Sequence, residues 1–209
     1  MKIALLGAPG SGKGTQSRIL KNLYNIKHIS IGDILRKIIH NENYLSYLKK
    51  DIEKCLNTGV LVNDRIIFKI VKNCINNTDC NNGFILDGFP RNLNQAINME
   101  NIGIILDIII YIDIPNSFIL NRIKNRSINK YNNNIYNKKL ILEKNLIKRQ
   151  DDKINVLKQR IDEFNKNNKS LTFFLKTTFS KNKTRFFSVN GTYDIEHVTN
   201  AIIKLINNL

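Results

Sequence analysis

The residues best suited to chemistry lie near the start of the chain. Gly7-Ala8-Pro9-Gly10-Ser11-Gly12-Lys13-Gly14-Thr15 fits the pattern G-x-x-x-x-G-K. An apolar run at residues 3–6 precedes it and an amphipathic stretch follows, as a phosphate-cradling loop requires. Glycines let the main chain approach phosphate oxygens closely. Exposed N–H groups at a helix N-terminus favour negative charge there. Lys13 has the length to reach the β- and γ-phosphates. Gly14 stands where such loops usually carry Ser or Thr, and Thr15 comes one residue later. Direct hydroxyl ligation of magnesium is reduced accordingly.

Other groups fit the same chemistry. Asp87 closes an apolar run and is followed by Gly88-Phe89-Pro90-Arg91. A carboxylate at the carboxyl end of a strand beside the phosphate loop sits where open α/β sheets bind ligands. It is placed to hold magnesium through water. Arg36, Arg91, Arg122, Arg126, Arg149 and Arg160 supply guanidinium groups, whose planar donors match phosphate. Arg122 and Arg126 lie four apart, which predicts a shared helix face with a polyanion between them. Asp151 and Asp152 follow Arg149 at a helix start, where they either cap the helix or pair with arginines. Gln95 offers an amide that can both donate and accept at a base edge, or it is a plain helix-surface glutamine. Arg18 and Arg185 read as surface charges. His28, His40 and His197 are scattered and read as structural or surface residues, with no Ser-His-Asp or Cys-His constellation.

Positioning these groups needs an alternating scaffold. Residues 3–6, 28–30, 84–87, 104–112 and 186–189 are continuous apolar runs, as strands covered on both faces should be. Helical periodicity marks 15–24, 64–76, 116–125, 151–165 and 195–209. The alternation predicts an α/β doubly wound fold around a five-stranded parallel sheet. Two segments interrupt it. Residues 31–62 read as helix after helix. Residues 127–148 are polar, with Asn132-Asn133-Asn134, yet keep Ile135, Tyr136 and Leu140-Ile141-Leu142. That second segment reads as a small flap, with a low-complexity disordered stretch as the alternative.

Composition narrows the classes. Of 209 residues, 42% are hydrophobic, enough for one good core. The formal net charge is +16. Abundant Lys, Asn and Ile point to a biased codon usage, and no stripe of basic residues interleaved with aromatics appears, so nucleic acid is not the expected partner. Cys55, Cys74 and Cys80 form no metal-ligand spacing, and the odd count suits reduced thiols in a cytoplasmic location. No secretory signal and no membrane span is expected.

Taken together, these pieces resemble the adenylate kinases. Residues 7–16 match first, followed by Ile29-Ser30-Ile31-Gly32-Asp33-Ile34-Leu35-Arg36. Asp87-Gly88-Phe89-Pro90-Arg91 with Gln95 comes next, then Arg122 and Arg126. Arg149-Gln150-Asp151-Asp152, Arg160 and Val189-Asn190-Gly191-Thr192 complete the set. They keep the family's order over almost the whole chain. The resemblance implies a phosphoryl-transfer enzyme running ATP + AMP = 2 ADP with magnesium, in the cytoplasm and as a monomer. It divides the chain into a phosphate-loop core (1–29, 63–124 and 152–209), a monophosphate-binding part (30–62) and a lid (125–151).

By the same resemblance Gly10, Ser11, Gly12, Lys13, Gly14, Thr15, Arg122, Arg126, Ile135, Tyr136 and Tyr193 bind ATP. Ile31, Arg36, Val60, Leu61, Val62, Gly88, Phe89, Pro90, Arg91, Gln95, Arg149 and Arg160 bind AMP. Lys13, Arg91, Arg122, Arg149 and Arg160 act on the transferring group. Three departures stand out. Ile31 occupies a place where the family usually has a small hydroxyl residue. The lid resembles the long type but is roughly ten residues shorter. It lacks a four-ligand Cys/His/Asp set, so no structural zinc is expected. The nearest rivals are a UMP or CMP kinase or a GTP-dependent AMP kinase on the same scaffold. A more distant one is a decayed phosphate-loop protein that binds through its basic surface.

Overall fold

The computed structural model describes residues 1–40, 46–77, 80–129, 135–137, 146–179 and 183–209. Asn132-Asn133-Asn134 and Leu140-Ile141-Leu142 of the expected flap lie outside them. Along the chain run β1 (Lys2–Leu6), α1 (Lys13–Tyr24), β2 (Lys27–Ser30), α2 (Ile31–His40), α3 (Lys49–Thr58), α4 (Asp64–Asn77), β3 (Phe84–Asp87) and α5 (Leu93–Asn101). Then come β4 (Ile108–Asp113), α6 (Asn116–Lys124), β5 (Arg126–Asn129), β6 (Ile135–Asn137), β7 (Leu146–Ile147), α7 (Ile154–Phe174), β8 (Arg185–Asn190) and α8 (Ile195–Asn207).

Five parallel strands form the main sheet in the order β2-β3-β1-β4-β8. β1 is central, with Ala4 opposite Leu86 on one side and Ile109 on the other. Its residues divide between the two faces, because successive side chains on a strand point opposite ways. Ile3 and Leu5 join Leu20 of α1 and Val198, Ile202 and Ile206 of α8. Ala4 and Leu6 join the other face, packed by Leu35, Ile52, Ile70, Met99 and Leu171 from α2, α3, α4, α5 and α7. Coverage on both faces explains why the strands read as unbroken apolar runs. Ile3, Leu5, Ile85 and Leu86 are fully buried, each contributing about 1.5–3 kcal/mol relative to exposure.

A third cluster sits over the phosphate loop: Ala8, Ile114, Ile119, Ile123, Leu157 and Ile161 pack α6 against α7. β5, β6 and β7 make a separate antiparallel sheet in the order β6-β5-β7. Between β2 and β3 the described chain is helical, as its periodicity predicts.

Two elements differ most from expectation. The fourth strand begins at Ile108, not 104, because Asp107 turns its side chain and main chain to Lys2. Its carboxylate accepts from Lys2 N at 2.7 Å, and its N–H donates to Lys2 O at 2.9 Å. The helix expected over 151–165 starts at Ile154 and runs to Phe174, where a π-type turn over Leu175–Phe179 extends it. Leu171, Leu175 and Phe179 anchor that extension in the core, which outweighs the polar local sequence. Among the described residues no helix is long and apolar enough to cross a membrane.

Candidate active site

The order of the sheet reverses at β1, and a crevice opens there at the strands' carboxyl ends. Gly10 and Gly12 carry the chain round the phosphate loop at φ of 80° and 104°. This left-handed region is costly for residues with a Cβ. Lys13, the first residue of α1, donates through Nζ to the carbonyls of Gly7 and Ala8, both at 2.7 Å, and to Ser11 Oγ at 3.4 Å. Burial pushes its pKa down to about 7. Asp87 opposes that shift, while Arg91, Arg160 and Arg126 add to it.

Arg122 ties two ligand-facing loops together. It donates to Ser11 O at 3.3 Å, to Gly191 O at 2.6 Å and to Tyr193 O at 3.3 Å. Arg126 does not share its helix face, contrary to the spacing argument. α6 stops at Lys124, where Asn125 returns its main-chain N–H and Nδ2 to Asn121 O at 3.3 and 2.9 Å. Arg126 then opens β5 and pairs with Asp152, its Nε donating to Oδ2 at 2.9 Å and its Nη2 donating to Oδ1.

The remaining arginines form a ladder of alternating charge. Arg160 Nη1 donates to Asp151 Oδ2 at 2.7 Å, and Arg36 Nη1 reaches the same oxygen at 3.3 Å. Arg36 Nη2 also donates to Asp33 Oδ1 at 2.6 Å, and Arg149 Nη2 stands 3.6 Å from that oxygen. Burial alone would raise both carboxyls. Arg36 and Arg149 nevertheless hold Asp33 at about 2, and Arg160, Arg36 and Arg149 keep Asp151 below its ordinary value. Of the two readings of Asp151 and Asp152, pairing is therefore the one observed. The N-cap of α7, Lys153, has no side-chain capping bond. Burial lowers Arg149 to about 10, with Arg36 and Arg126 adding to the shift, and its Nε is buried without a partner among the described residues.

Arg91 is held differently. Its Nε donates to Gly88 O at 2.7 Å and its main-chain N–H to Gln95 Oε1 at 2.7 Å. Its terminal amino groups have no hydrogen-bond partner among the described residues. Burial and then Arg160 lower its pKa to about 10, so it remains a cation at neutral pH. Asp87 is buried, with Oδ2 3.1 Å from His28 Nε2.

A cavity of about 570 Å³ collects these groups. Gly10, Ser11, Gly12, Lys13, Gly14, Thr15, Arg36, Val60, Leu61, Asp87, Gly88, Pro90, Arg91, Arg122, Arg126, Arg149, Arg160 and Tyr193 all line it. Ile31, Val62, Phe89 and Gln95 do not; each is buried in the surrounding packing. Ile135 and Tyr136 open β6. Two residues read as surface charges have more specific places. Arg18 lines the cavity, and Arg185 ties β8 to the chain end by donating to the carbonyls of Asn208 and Leu209. Asp33, Asp64 and the His28–Asp87 pair were missed as partners. Only Asp33 carried a signal, its i,i+3 spacing to Arg36.

The family model for adenylate kinase matches residues 5–179. The chain belongs to the adenylate kinase family. An adenylate kinase of Francisella tularensis subsp. holarctica (strain OSU18) is 36% identical over 219 residues, covering 99% of both chains. One of Wigglesworthia glossinidia brevipalpis is 37% identical over 217 residues, covering 99% of this chain and all of its own. The 219 aligned positions exceed the 209 residues here, so the Francisella adenylate kinase carries residues without a counterpart in this chain. As a member of the family the chain is a nucleoside monophosphate kinase, and the family generally uses Mg-ATP.

Proposed function

We propose that this adenylate kinase family member carries out ATP + AMP = 2 ADP by gathering both phosphate chains in the arginine-lined cavity. The observation that carries this reading is Arg91, a half-buried cation on the cavity wall whose terminal donors have no hydrogen-bond partner among the described residues. Such a group wants an oxyanion, and Arg160 and Arg36 crowd it with like charge until one arrives.

On this reading Gly10, Ser11, Gly12, Gly14, Thr15, Arg126, Ile135, Tyr136 and Tyr193 hold ATP. Ile31, Arg36, Val60, Leu61, Val62, Gly88, Phe89, Pro90 and Gln95 hold AMP. Lys13, Arg91, Arg122, Arg149 and Arg160 bear on the transferring phosphoryl group. The acceptor is already a phosphate oxyanion, so no base need remove a proton. Alignment and charge stabilisation then make up the catalysis. Residues 30–62 form the monophosphate-binding part and 125–151 the lid, with 1–29, 63–124 and 152–209 as core. The separate β5–β7 sheet and the cavity-lining arginines at its two ends support that division. Asp87 suits magnesium held through water, since Oδ1 has no partner among the described residues; the ion would neutralise phosphate charge. The chain acts as a monomer in the cytoplasm, without structural zinc. That last expectation concerns a segment lying largely outside the described residues.

A coupled assay for ADP formation from ATP and AMP tests the reading. The wild-type chain is expected to turn over, and Lys13→Met to lose about 10²-fold or more of kcat. Equal rates in the two proteins refute the assignment.

A further inference from the structure

The geometry points to Asp64 as a positioning residue for base selectivity, fixing which way the Gln95 amide faces. The inference rests on the reading of Gln95 as the residue that meets the AMP base.

A glutamine amide is nearly symmetric in shape. Turned by half a rotation it exchanges its donor for its acceptor. Two groups remove that freedom here. Gln95 Nε2 donates to Asp64 Oδ1 at 2.6 Å, and a carboxylate can only accept. Gln95 Oε1 accepts from Arg91 N at 2.7 Å, and a main-chain N–H can only donate. A flipped amide would set its NH2 against the Arg91 N–H and its oxygen against the carboxylate. Both contacts would become repulsive at once.

Asp64 is itself held. Asn92 Nδ2 donates to its Oδ1 and Oδ2 at 3.1 and 3.2 Å, and Asn92 Oδ1 caps α5 by accepting from Gln95 N at 2.8 Å. The four residues close a ring that joins α4, the Gly88–Arg91 segment and α5. Asp64 stands in the first turn of α4, where an acid is usually explained as helix capping. That task belongs to its neighbour. Asn63 Oδ1 accepts from Arg65 N at 2.9 Å, and Asn63 O accepts from the N–H groups of Ile66 and Ile67. The Asp64 carboxylate is spent on Asn92 and Gln95.

The ring leaves Gln95 one N–H and one oxygen lone pair. A fixed donor beside a fixed acceptor complements adenine, which presents its N6 donor next to a ring-nitrogen acceptor. Guanine offers O6 in place of that donor. Gln95 is buried and does not line the cavity, so its neighbours must part before a base meets it. The pinned amide then keeps its orientation because Asp64 and Arg91 travel with it.

Asp64→Asn tests this, since asparagine can donate where aspartate cannot and so permits the flip. Initial rates with AMP and GMP, at varied ATP, are measured for wild type, D64N, Q95L and D64N/Q95L. The expected result is a fall of about tenfold in the AMP-over-GMP preference for D64N, through KM for the monophosphate, with KM for ATP unchanged. In the Q95L background D64N should add nothing to the selectivity change. A D64N enzyme with wild-type selectivity overturns the inference, as does an equal D64N effect with and without Gln95. If Q95L itself keeps the full AMP preference, the reading of Gln95 fails instead, and this inference with it.

Discussion

At Lys13 the cavity sets an unusual protonation state. The ammonium sits in a loop built for anions, and its pKa of about 7 reflects burial among cations. Bound polyphosphate restores the charged form. Between about pH 7 and the ordinary lysine range, the nucleotide-bound protein therefore holds a proton that the free protein has released. ATP binding at about pH 8 is expected to take up as much as about one proton, read by calorimetry in buffers of differing ionisation heat. Lys13→Met should lose that uptake; uptake that survives the substitution assigns the proton elsewhere. For the free protein the sign is the same as that of a paired carboxylate, in a higher pH range. The unfolded chain keeps the lysine proton after the folded chain has lost it, so this group's contribution to stability rises with pH above about 7.

Among the elements, the ladder Arg149–Asp33–Arg36–Asp151–Arg160 matters most. It joins α2 to the entrance and first turns of α7. α3 also packs on the Gln150–Asp152 turn and on α7. Gly59, at φ of 82°, lets that approach happen, since a Cβ there would stand 2.6 Å from Val156 O. Asp151 is the pivot, accepting from two arginines with a side chain 7% exposed. Removing its charge leaves two half-buried cations facing each other. Asp151→Asn should destabilise the nucleotide-free protein by about 3 kcal/mol in denaturant unfolding. Phosphates between the same arginines should narrow that difference. A loss that is the same with saturating ATP and AMP would place the carboxylate outside the phosphate-binding set.

For the whole molecule, the decisive property is that one cavity collects cations from distant parts of the chain. Lys13, Arg36, Arg91, Arg122, Arg126, Arg149 and Arg160 reach it from α1, α2, the loop before α5, α6, β5, the segment before α7, and α7 itself. Two adenosines joined through five phosphates should bind across it and raise thermal stability, by about 2.7 kcal/mol at a hundredfold excess over Kd. Absence of a shift at millimolar ligand would contradict a shared polyphosphate site.

Much of this was legible along the chain. The phosphate loop is a local motif, and its meaning depends only on neighbours within a few residues. The five strands were legible because burial on both faces leaves unbroken apolar runs, and their alternation with helices led to the parallel sheet. Long-range partnerships were not. Asp64 and Gln95 meet across 31 positions, and Arg36 and Asp151 across 115. Nothing in local spacing marks such pairs, since any acid on the chain is a candidate until the backbone brings one within reach. The break between Arg122 and Arg126 was hidden for a related reason, because a helix ends where tertiary contacts stop supporting it. The sequence by itself determined the family, the scaffold and the chemistry on offer. Only the tertiary structure decided which carboxylate holds which arginine, and that none among the described residues pairs with Arg91. Charge pairing depends on distance in space, and the folded backbone alone sets that distance.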